Sequence, residues 1–283
     1  MPSVVIDGIE TRYEISGSGP ALLMFSPGGF NSALENWHAH GLYQRLDLLP
    51  RLAQSYQCIA FDRRESGQSG GRLERIAWRS YVDQAVGLLD HLGIDRANLI
   101  GACVGCSSAA AFAVAHPRRV QSMTLYSPAG GAAYRRRQHS RFASHLAFVE
   151  EFGLAEVVRL ATESGGSFST DGRVGPWSTV IARDAEFAEA YQRCDHERYL
   201  TLVSGLGRLM FDRDTVPGAE PEDLVQLDIP TLIVPGEDSS HATSAARYLQ
   251  ECLRGAEYWD VAVAAQTADT APARVLTFLD GQR

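Results

Sequence analysis

The chain has 283 residues, of which 45% are hydrophobic and 21% charged, and its formal net charge is −8 at pH 7. This size and composition predict a globular fold with a core large enough to need no disulfides or structural metal, and the acidic balance argues against nucleic acid as a partner. All 26 basic residues are arginine, which excludes lysine Schiff-base chemistry, pyridoxal phosphate and a P-loop lysine.

The N-terminal segment and the cysteines predict a cellular location. Residues 1–7 lack the basic region of a signal peptide, and no segment approaches the roughly 20 apolar residues that span a bilayer. Five cysteines without disulfide spacing favour a reducing compartment. We therefore expect a cytoplasmic protein with no membrane partner; an oligomer stays open.

Strand and helix patterns alternate along most of the chain. In chain order, the spacing of apolar residues and turn residues predicts a hairpin at 4–6 and 11–15, strands at 21–25 and 57–61, a helix at 81–92, a strand at 97–100, a helix at 107–115, strands at 120–126 and 231–234, a helix at 245–253, a strand at 258–261 and a helix at 273–279. Such alternation predicts a mostly parallel, doubly wound sheet with helices on both faces.

The alternation is interrupted between residues 130 and 228. Helical periodicity dominates there, at 142–152, 182–192 and 199–210. We therefore predict a core formed by residues 1–129 and 229–283, with a helical cap inserted at 130–228. Aromatic and aliphatic residues in the cap are consistent with an apolar or aromatic ligand, although such residues are more often plain core.

The clearest chemical motif is Gly101-Ala102-Cys103-Val104-Gly105, which stands where a predicted strand passes into a helix. A nucleophile in this position occupies a sharp, strained turn, and small flanking residues let neighbouring chains approach closely. The free N–H groups and the dipole of the following helix favour a thiolate, and the Val104 N–H would point at an oxyanion. The alternative to a catalytic Cys103 is a buried structural thiol.

At this motif the chain resembles the α/β-hydrolase superfamily, over nearly its whole length and with the insertion as a cap. The resemblance implies that Pro27-Gly28-Gly29-Phe30 forms the oxyanion loop, with Gly29 supplying the second N–H and Phe30 as the fallback. Pro27 departs from the histidine that is usual there.

A second stretch, from Asp62 to Ser69, resembles the family's Asp-x-Arg-Gly-x-Gly-x-Ser turn. Glu65 stands where a glycine is common. We expect it to be a surface turn residue, with a polar group facing the pocket as the alternative.

The resemblance also implies a catalytic acid after the penultimate strand, and Asp238 matches that position. Such a carboxylate orients and stabilises a histidine. The family's histidine follows the last strand, but no histidine occurs after His241; Ala265 or Gln266 stands near the expected place. His241 is the best replacement. It lies three residues after Asp238, in the loop that follows the same strand, and three residues span at most roughly 10 Å.

Other histidines and cysteines have weaker claims. His38 and His40 follow the oxyanion loop and are candidates for lining the pocket. Cys106 completes a Cys-x-x-Cys with Cys103, for which a buried thiol is a better interpretation than a redox pair. No second Cys/His pair has metal-ligand spacing, and we predict no metal or other cofactor.

These residues predict a cysteine-dependent hydrolase with Cys103, Asp238 and His241 as its catalytic set. Its substrate would be a small, apolar carbonyl compound: an ester, lactone, thioester or activated C–C bond. Dienelactone hydrolases and polyhydroxyalkanoate synthases share the Gly-x-Cys-x-Gly motif in this fold, but their late histidine is missing here, so neither substrate class carries over. The alternatives are an acyltransferase, cyclase or lyase on the same fold, and a catalytically dead binding protein.

Overall fold

The computed structural model describes residues 2–213 and 215–282. Within them a single eight-stranded sheet runs in the order β1-β2-β4-β3-β5-β6-β7-β8. The strands are β1 (Ser3–Ile6), β2 (Ile9–Ser16), β3 (Ala21–Phe25), β4 (Gln57–Phe61), β5 (Ala97–Ala102), β6 (Val120–Tyr126), β7 (Thr231–Val234) and β8 (Glu257–Tyr258). The β1–β2 and β2–β4 pairs are antiparallel. Every neighbouring pair from β4 to β8 in this order is parallel.

Helices cover both faces of this sheet, as the alternating pattern predicts. They are α1 (Asn36–Ala39), α2 (Gly41–Leu46), α3 (Leu48–Leu52), α4 (Trp78–His91), α5 (Gly105–Ala115), α6 (Ala132–Ser164), α7 (Ser178–Ile181), α8 (Ala185–Gln192), α9 (His196–Phe211), α10 (Pro221–Leu224), α11 (Thr243–Cys252) and α12 (Thr270–Asp280). Successive residues of β3 point to opposite faces of the sheet. Leu22 belongs to an apolar cluster that includes side chains of α3 and α12, and Leu23 to a second apolar cluster that includes side chains of α5 and α11.

The predicted elements are confirmed in order and type. The structure differs in the length of the last strand and in several short helices, α7 and α10 among them, that were not predicted. The last strand is shorter than the predicted 258–261, because the Val261 N–H bonds back to the Trp259 carbonyl and turns the chain away from β7. The short helices α1, α2 and α3 lie in a stretch for which no element was predicted. Each has only four to six residues, too few for a helical period to show in the sequence.

Helices α6–α10 all lie between β6 and β7, where the helical insertion was predicted. The longest of them, α6, is bent at Gly153, whose backbone is non-helical. Side chains from α6 and α9, such as Phe142 and Phe211, join the same apolar cluster as Phe30 and Cys103. The inserted helices therefore pack over the end of the sheet that carries Cys103; residues 130–228 as a separate cap unit stay a prediction. None of the helices in the described residues is long and apolar enough to cross a membrane.

Candidate active site

Cys103 lies in a strained turn between β5 and α5. Its φ angle is 54°, a left-handed conformation that residues other than glycine seldom adopt. The Cys103 N–H bonds to the Tyr126 carbonyl at 3.1 Å, and its own carbonyl accepts from the Ala129 N–H at 3.2 Å. These bonds to the segment at the end of β6 hold the turn in place, so the side chain stands at the carboxyl edge of the sheet.

The two glycines of the motif are required by close packing. A Cβ at Gly101 would lie 2.5 Å from the Gly105 carbonyl oxygen, and a Cβ at Gly105 would lie 2.2 Å from the carbonyl oxygen of Phe25. Both contacts are with backbone atoms, which cannot rotate away. The spacing of small residues in the motif therefore follows from the approach of β5, α5 and the end of β3.

We expect Gly105→Ala to lower the free energy of unfolding by about 3 kcal/mol or more, because relieving the clash with Phe25 requires a backbone shift in the buried sheet. Gly205→Ala is a matched control inside α9, where the nearest atom to the new Cβ would be 3.9 Å away. That change should raise stability, by up to about 1 kcal/mol, through helix propensity. Urea unfolding of both variants checks the pair, and equal effects would contradict this account.

His241 and Asp238 form a hydrogen-bonded pair in the loop after β7. The ring Nδ1 of His241 lies 3.0 and 2.9 Å from the two carboxylate oxygens of Asp238. Asp238 also accepts from the backbone N–H groups of Ser240 and His241, which folds the loop into a compact turn. The opposite ring nitrogen, Nε2, is buried, has no well-aligned hydrogen-bond partner, and is close enough to the Cys103 sulfur for the two groups to shift each other's pKa.

Backbone and side-chain contacts hold this loop against the start of the insertion. The Gly130 N–H bonds to the Ser240 carbonyl at 2.9 Å, beside a parallel bridge between Gly130 and His241. The Arg137 guanidinium of α6 donates to the Ser239 side chain at 2.7 Å, to the Ser239 carbonyl at 2.8 Å and to the Ser240 side chain at 2.6 Å. Arg137 is therefore a positioning residue for the His241 loop, a role the sequence did not indicate.

Arg137→Ala should lower kcat/KM for an activated ester by roughly 10-fold, because the loop loses three hydrogen bonds and His241 is held less firmly. The pH midpoint for alkylation of Cys103 should rise at the same time, which a loss of stability alone would not cause. Arg136→Ala is the matched control, since Arg136 is exposed on the same helix. Identical kinetics and midpoints for the two variants would rule out the positioning role.

The backbone amides of Val104 and Gly28 lie close enough to the Cys103 sulfur to lower its pKa. Val104 carries the N–H that the sequence predicted as an oxyanion donor. Gly28 is one residue before Gly29, whose role as the second oxyanion donor stays a prediction. The fallback, Phe30, is not free, because its N–H bonds to the Ser169 side chain at 3.2 Å. The Gly28 turn is held by the Asn36 amide, which donates to the Pro27 and Asn31 carbonyls at 2.7 Å each.

The site stabilises opposite charges on Cys103 and His241. Burial by itself would raise the pKa of Cys103, but His241 and the amides of Gly28 and Val104 lower it below the ordinary thiol value. Burial would likewise lower the pKa of His241, yet the Cys103 sulfur and Asp238 raise it to about 9. The site therefore favours the thiolate form of Cys103 and the imidazolium form of His241.

This charge distribution predicts selective alkylation. Iodoacetamide should label Cys103 at pH values well below the ordinary thiol pKa of about 8.5, because only the thiolate reacts. Cys58 is an internal comparison, since burial raises its pKa to about 12 and it should stay unlabelled in the native protein. Peptide mapping across pH measures both sites, and labelling of Cys103 only above pH 8.5 would contradict a stabilised thiolate.

Three other predicted residues lie elsewhere or differ in environment. His38 is exposed at the end of α1 and interacts with Glu35, and its place in the pocket stays a prediction; His40, also exposed, lines a cavity beside His241. The prediction of Glu65 as a surface residue is wrong. It is buried with a φ angle of 63° and forms an ion pair with Arg64 at 2.9 Å.

Cys106 is a buried thiol that donates to the carbonyls of Gly101 and Tyr126 at 3.1 and 3.4 Å. Burial and the neighbouring Cys103 raise its pKa well above the ordinary value. Because its hydrogen acts as a donor within the fold, Cys106 supports the elbow rather than pairing with Cys103. In the described residues no group of three or more His, Cys, Asp or Glu side chains is arranged to hold a metal ion.

The turn after the last strand, where the resemblance placed a histidine, has a different role here. Gln266 is fully buried, and its side-chain oxygen accepts from the Tyr126 hydroxyl at 2.5 Å. The preceding Val263 and Ala264 line the cavity beside His241. Gln266 is thus a buried hydrogen-bonding residue in this turn, and His241 in the acid loop stays the predicted base.

Comparison with known proteins agrees with this architecture. A family model described as the alpha/beta hydrolase fold matches residues 21–169, slightly more than half of the chain. The chain therefore belongs to the α/β-hydrolase fold family.

Two curated relatives share part of the sequence. A 2-hydroxymuconate semialdehyde hydrolase from a Pseudomonas species is 34% identical over 132 residues, which cover 45% of this chain and 43% of that protein. A dihydrolipoyllysine-residue acetyltransferase component of the acetoin cleaving system from Cupriavidus necator is 34% identical over 125 residues, covering 44% of this chain and 31% of that protein. The match thus spans less than half of either relative.

Solved structures resemble the whole chain. The enol-lactonase from Burkholderia xenovorans has a TM-score of 0.64 at 19% identity, over 99% of this chain and 100% of that one. A meta-cleavage product hydrolase from Pseudomonas fluorescens, complexed with acetates, has a TM-score of 0.64 at 20% identity, over 100% of this chain and 98% of that one. At these identities the likeness concerns the fold.

Proposed function

We propose that this protein is a hydrolase that uses Cys103 as a covalent nucleophile on small, apolar carbonyl compounds. The observation that carries the proposal is the assembly around one sulfur atom of a strained turn, the His241–Asp238 pair and the amides of Gly28 and Val104. This arrangement supplies a nucleophile, a base with its orienting carboxylate, and donors for a developing oxyanion.

The reaction follows from the charges of the site. The Cys103 thiolate attacks the carbonyl carbon, and the carbonyl oxygen takes up negative charge beside the Val104 and Gly28 amides. The imidazolium of His241 protonates the leaving group as the carbonyl re-forms, leaving a thioester on Cys103. Neutral His241 then takes a proton from water, which attacks the thioester and releases a free acid.

The surroundings of the sulfur favour an apolar acyl group. Phe30 packs edge to face against Phe142 and Phe211, with ring centroids 5.7 and 5.8 Å apart, and Tyr134 packs on Phe211 at 6.0 Å. The name of the related 2-hydroxymuconate semialdehyde hydrolase specifies a semialdehyde, and that of the structurally similar enol-lactonase specifies a lactone. Both are carbonyl compounds, which supports esters, lactones and activated C–C bonds as substrate classes. A small-molecule substrate and a cytoplasmic location stay part of this proposal.

The test is direct capture of the intermediate. The protein is mixed with p-nitrophenyl butyrate, quenched during the first turnover, and analysed by intact mass and peptide mapping. We expect one butyryl group, located on Cys103, and a burst of p-nitrophenol equal to the enzyme concentration. Turnover without any adduct, or an adduct on another residue, would overturn the proposal. An absence of both burst and turnover across esters, thioesters and lactones would favour the binding-protein alternative.

A further inference from the structure

A second cavity, of about 450 Å³, lies where the inserted helices meet the core. It is enclosed by the segment that leads into α4, the second half of α9 and the loop that follows α9. Cys103, Asp238 and His241 do not line it. Its volume is within the range of sites that hold small molecules, so its lining shows what kind of molecule it suits.

Two guanidinium groups of this cavity have no partner. In residues 2–213 and 215–282, the side chains of Arg75 and Arg208 form no hydrogen bond and no ion pair. The third arginine of the lining, Arg213, differs from them, because it pairs with Glu220 and donates to the Ala219 carbonyl at 3.0 Å. The cavity therefore contains two cationic groups whose hydrogen-bond donors are all unused within the fold.

The fold brings these two arginines to one place from opposite sides of the cavity. Arg75 belongs to the core, and its Nε lies 3.9 Å from the position of a Cβ at Gly205 in α9. Arg208 is three residues further along α9, and residues at this spacing share a face of a helix. Both arginines are exposed, so water screens their repulsion while the cavity is empty. An anion between them would contact both.

The carboxylates of the lining do not neutralise this pair. Asp212 forms an ion pair with Arg135 at 3.5 Å, and Glu220 forms one with Arg213. Two positive charges are therefore left uncompensated here, in a chain whose formal net charge is −8. A guanidinium binds a carboxylate through two parallel hydrogen bonds, which gives direction as well as charge.

The rest of the lining supplies an apolar surface. Leu209 is 43% exposed, whereas Met210 and Trp78 are buried. The Trp78 ring is held in place by Tyr81, against which it packs edge to face with ring centroids 6.0 Å apart. An apolar wall beside two unpaired guanidinium groups suits a ligand that has a carboxylate at one end and an apolar or aromatic body at the other.

We propose that this cavity, here named the arginine cavity and defined by Arg75, Trp78, Arg208, Leu209 and Met210, binds an organic carboxylate with an apolar body. Arg75 and Arg208 both bond to the carboxylate, and the body packs on Trp78 and Leu209. The ligand thereby joins the core to α9 of the insertion. The inference goes beyond the proposed function and does not depend on it, because the catalytic set does not line the cavity.

The test measures binding of 1-naphthoate to the full-length protein by isothermal titration calorimetry. The neutral 1-naphthalenemethanol and inorganic phosphate are the comparison ligands, since one lacks the charge and the other the apolar body. We expect one equivalent of naphthoate to bind, and both comparison ligands to bind about 10-fold or more weakly. Equal affinity for naphthoate and either comparison ligand would contradict the proposed chemistry, and so would an absence of naphthoate binding.

Two variants locate the ligand in the arginine cavity. Arg75→Gln and Arg208→Gln should each weaken naphthoate binding about 10-fold and leave binding of the neutral alcohol unchanged, because each removes one charged donor to the carboxylate. The double variant should bind naphthoate no more tightly than the alcohol. Arg198→Gln is the matched control, since Arg198 is exposed on the same helix but does not line the cavity. It should keep the wild-type affinity.

Thermal unfolding gives a second measurement on the same proteins. A ligand that binds only the folded state raises the unfolding midpoint, so saturating naphthoate should raise it in the wild type and in Arg198→Gln but not in the double variant. If the double variant bound naphthoate and was stabilised like the wild type, the ligand would lie elsewhere and the arginine cavity would be wrong. Formation of butyryl-Cys103 is measured separately, so the hydrolase proposal would be unaffected by that result.

Discussion

Replacing Cys103 with alanine should lower kcat/KM for an activated ester by about 10⁴-fold or more, because it removes the atom that forms the covalent bond. The side chain is small and the strained turn is held by backbone bonds to Tyr126 and Ala129, so the change should leave the fold intact. Burst kinetics with p-nitrophenyl butyrate, together with urea unfolding, measure both effects.

Cys106→Ala is the matched control for this variant. Cys106 is the second residue of α5, three residues after Cys103, but its thiol donates to backbone carbonyls. Its replacement should reduce stability by about 1–2 kcal/mol through the lost hydrogen bonds and packing, while the burst persists. If both variants lost the burst, a paired role for the two cysteines would be the better explanation; if neither did, Cys103 would not be the nucleophile.

Replacing His241 with alanine should lower kcat/KM by about 10³-fold and should also change the chemistry of Cys103. Burial raises the pKa of the thiol, and His241 is the largest of the interactions that oppose burial. Without it, the pH midpoint for iodoacetamide labelling of Cys103 should move above the ordinary thiol value of about 8.5. Labelling and steady-state kinetics across pH measure the two effects on the same protein.

The same pair determines the pH dependence of the unmodified enzyme. The pKa of His241 is raised to about 9, so the imidazolium that protonates the leaving group is present below that pH and is lost above it. The thiolate, whose pKa is lowered, is lost as the pH falls through that pKa. We therefore expect a bell-shaped profile of kcat/KM with its alkaline limb near pH 9.

His38→Ala is the control for the histidine variant, because His38 is exposed on α1 and interacts with Glu35. Its kinetics and labelling midpoint should match those of the wild type. Normal activity in His241→Ala would exclude His241 as the base, and His40, which lines the cavity beside His241, would be the next candidate.

Much of the site could be predicted because its parts are local in sequence. Cys103 stands between a strand and a helix, and Asp238 and His241 are three residues apart in one loop, so their contact needs only a compact turn. The amide from the loop after β3 that lies near the sulfur was harder to predict: Gly28 and Gly29 both have positive φ angles, and only the position of the loop relative to α5 brings the Gly28 N–H near the sulfur.

The surroundings of two parts of the chain depend on packing that the sequence does not show. Glu65 was expected at the surface because carboxylates are seldom buried, but Arg64 and its neighbours enclose it in an ion pair. His38 and His40 cannot be distinguished by their spacing from the oxyanion loop, yet the end of α1 separates them. His38 lies beside Glu35, and His40 lines the cavity beside His241.

By itself, the amino-acid sequence determined the order of strands and helices, the elbow at Cys103 and the carboxylate–histidine pair, because periodicity, turn residues and short separations are properties of neighbouring residues. Only the tertiary structure decided how these parts meet: Arg137 against the His241 loop, Gly28 near the sulfur, and the cavity between Tyr43, Ser127 and Val263. Those contacts join segments more than 70 residues apart, and their geometry depends on how the helices pack over the sheet. The charge on Cys103 is likewise tertiary, since His241 approaches it from a strand more than 100 residues later in the chain.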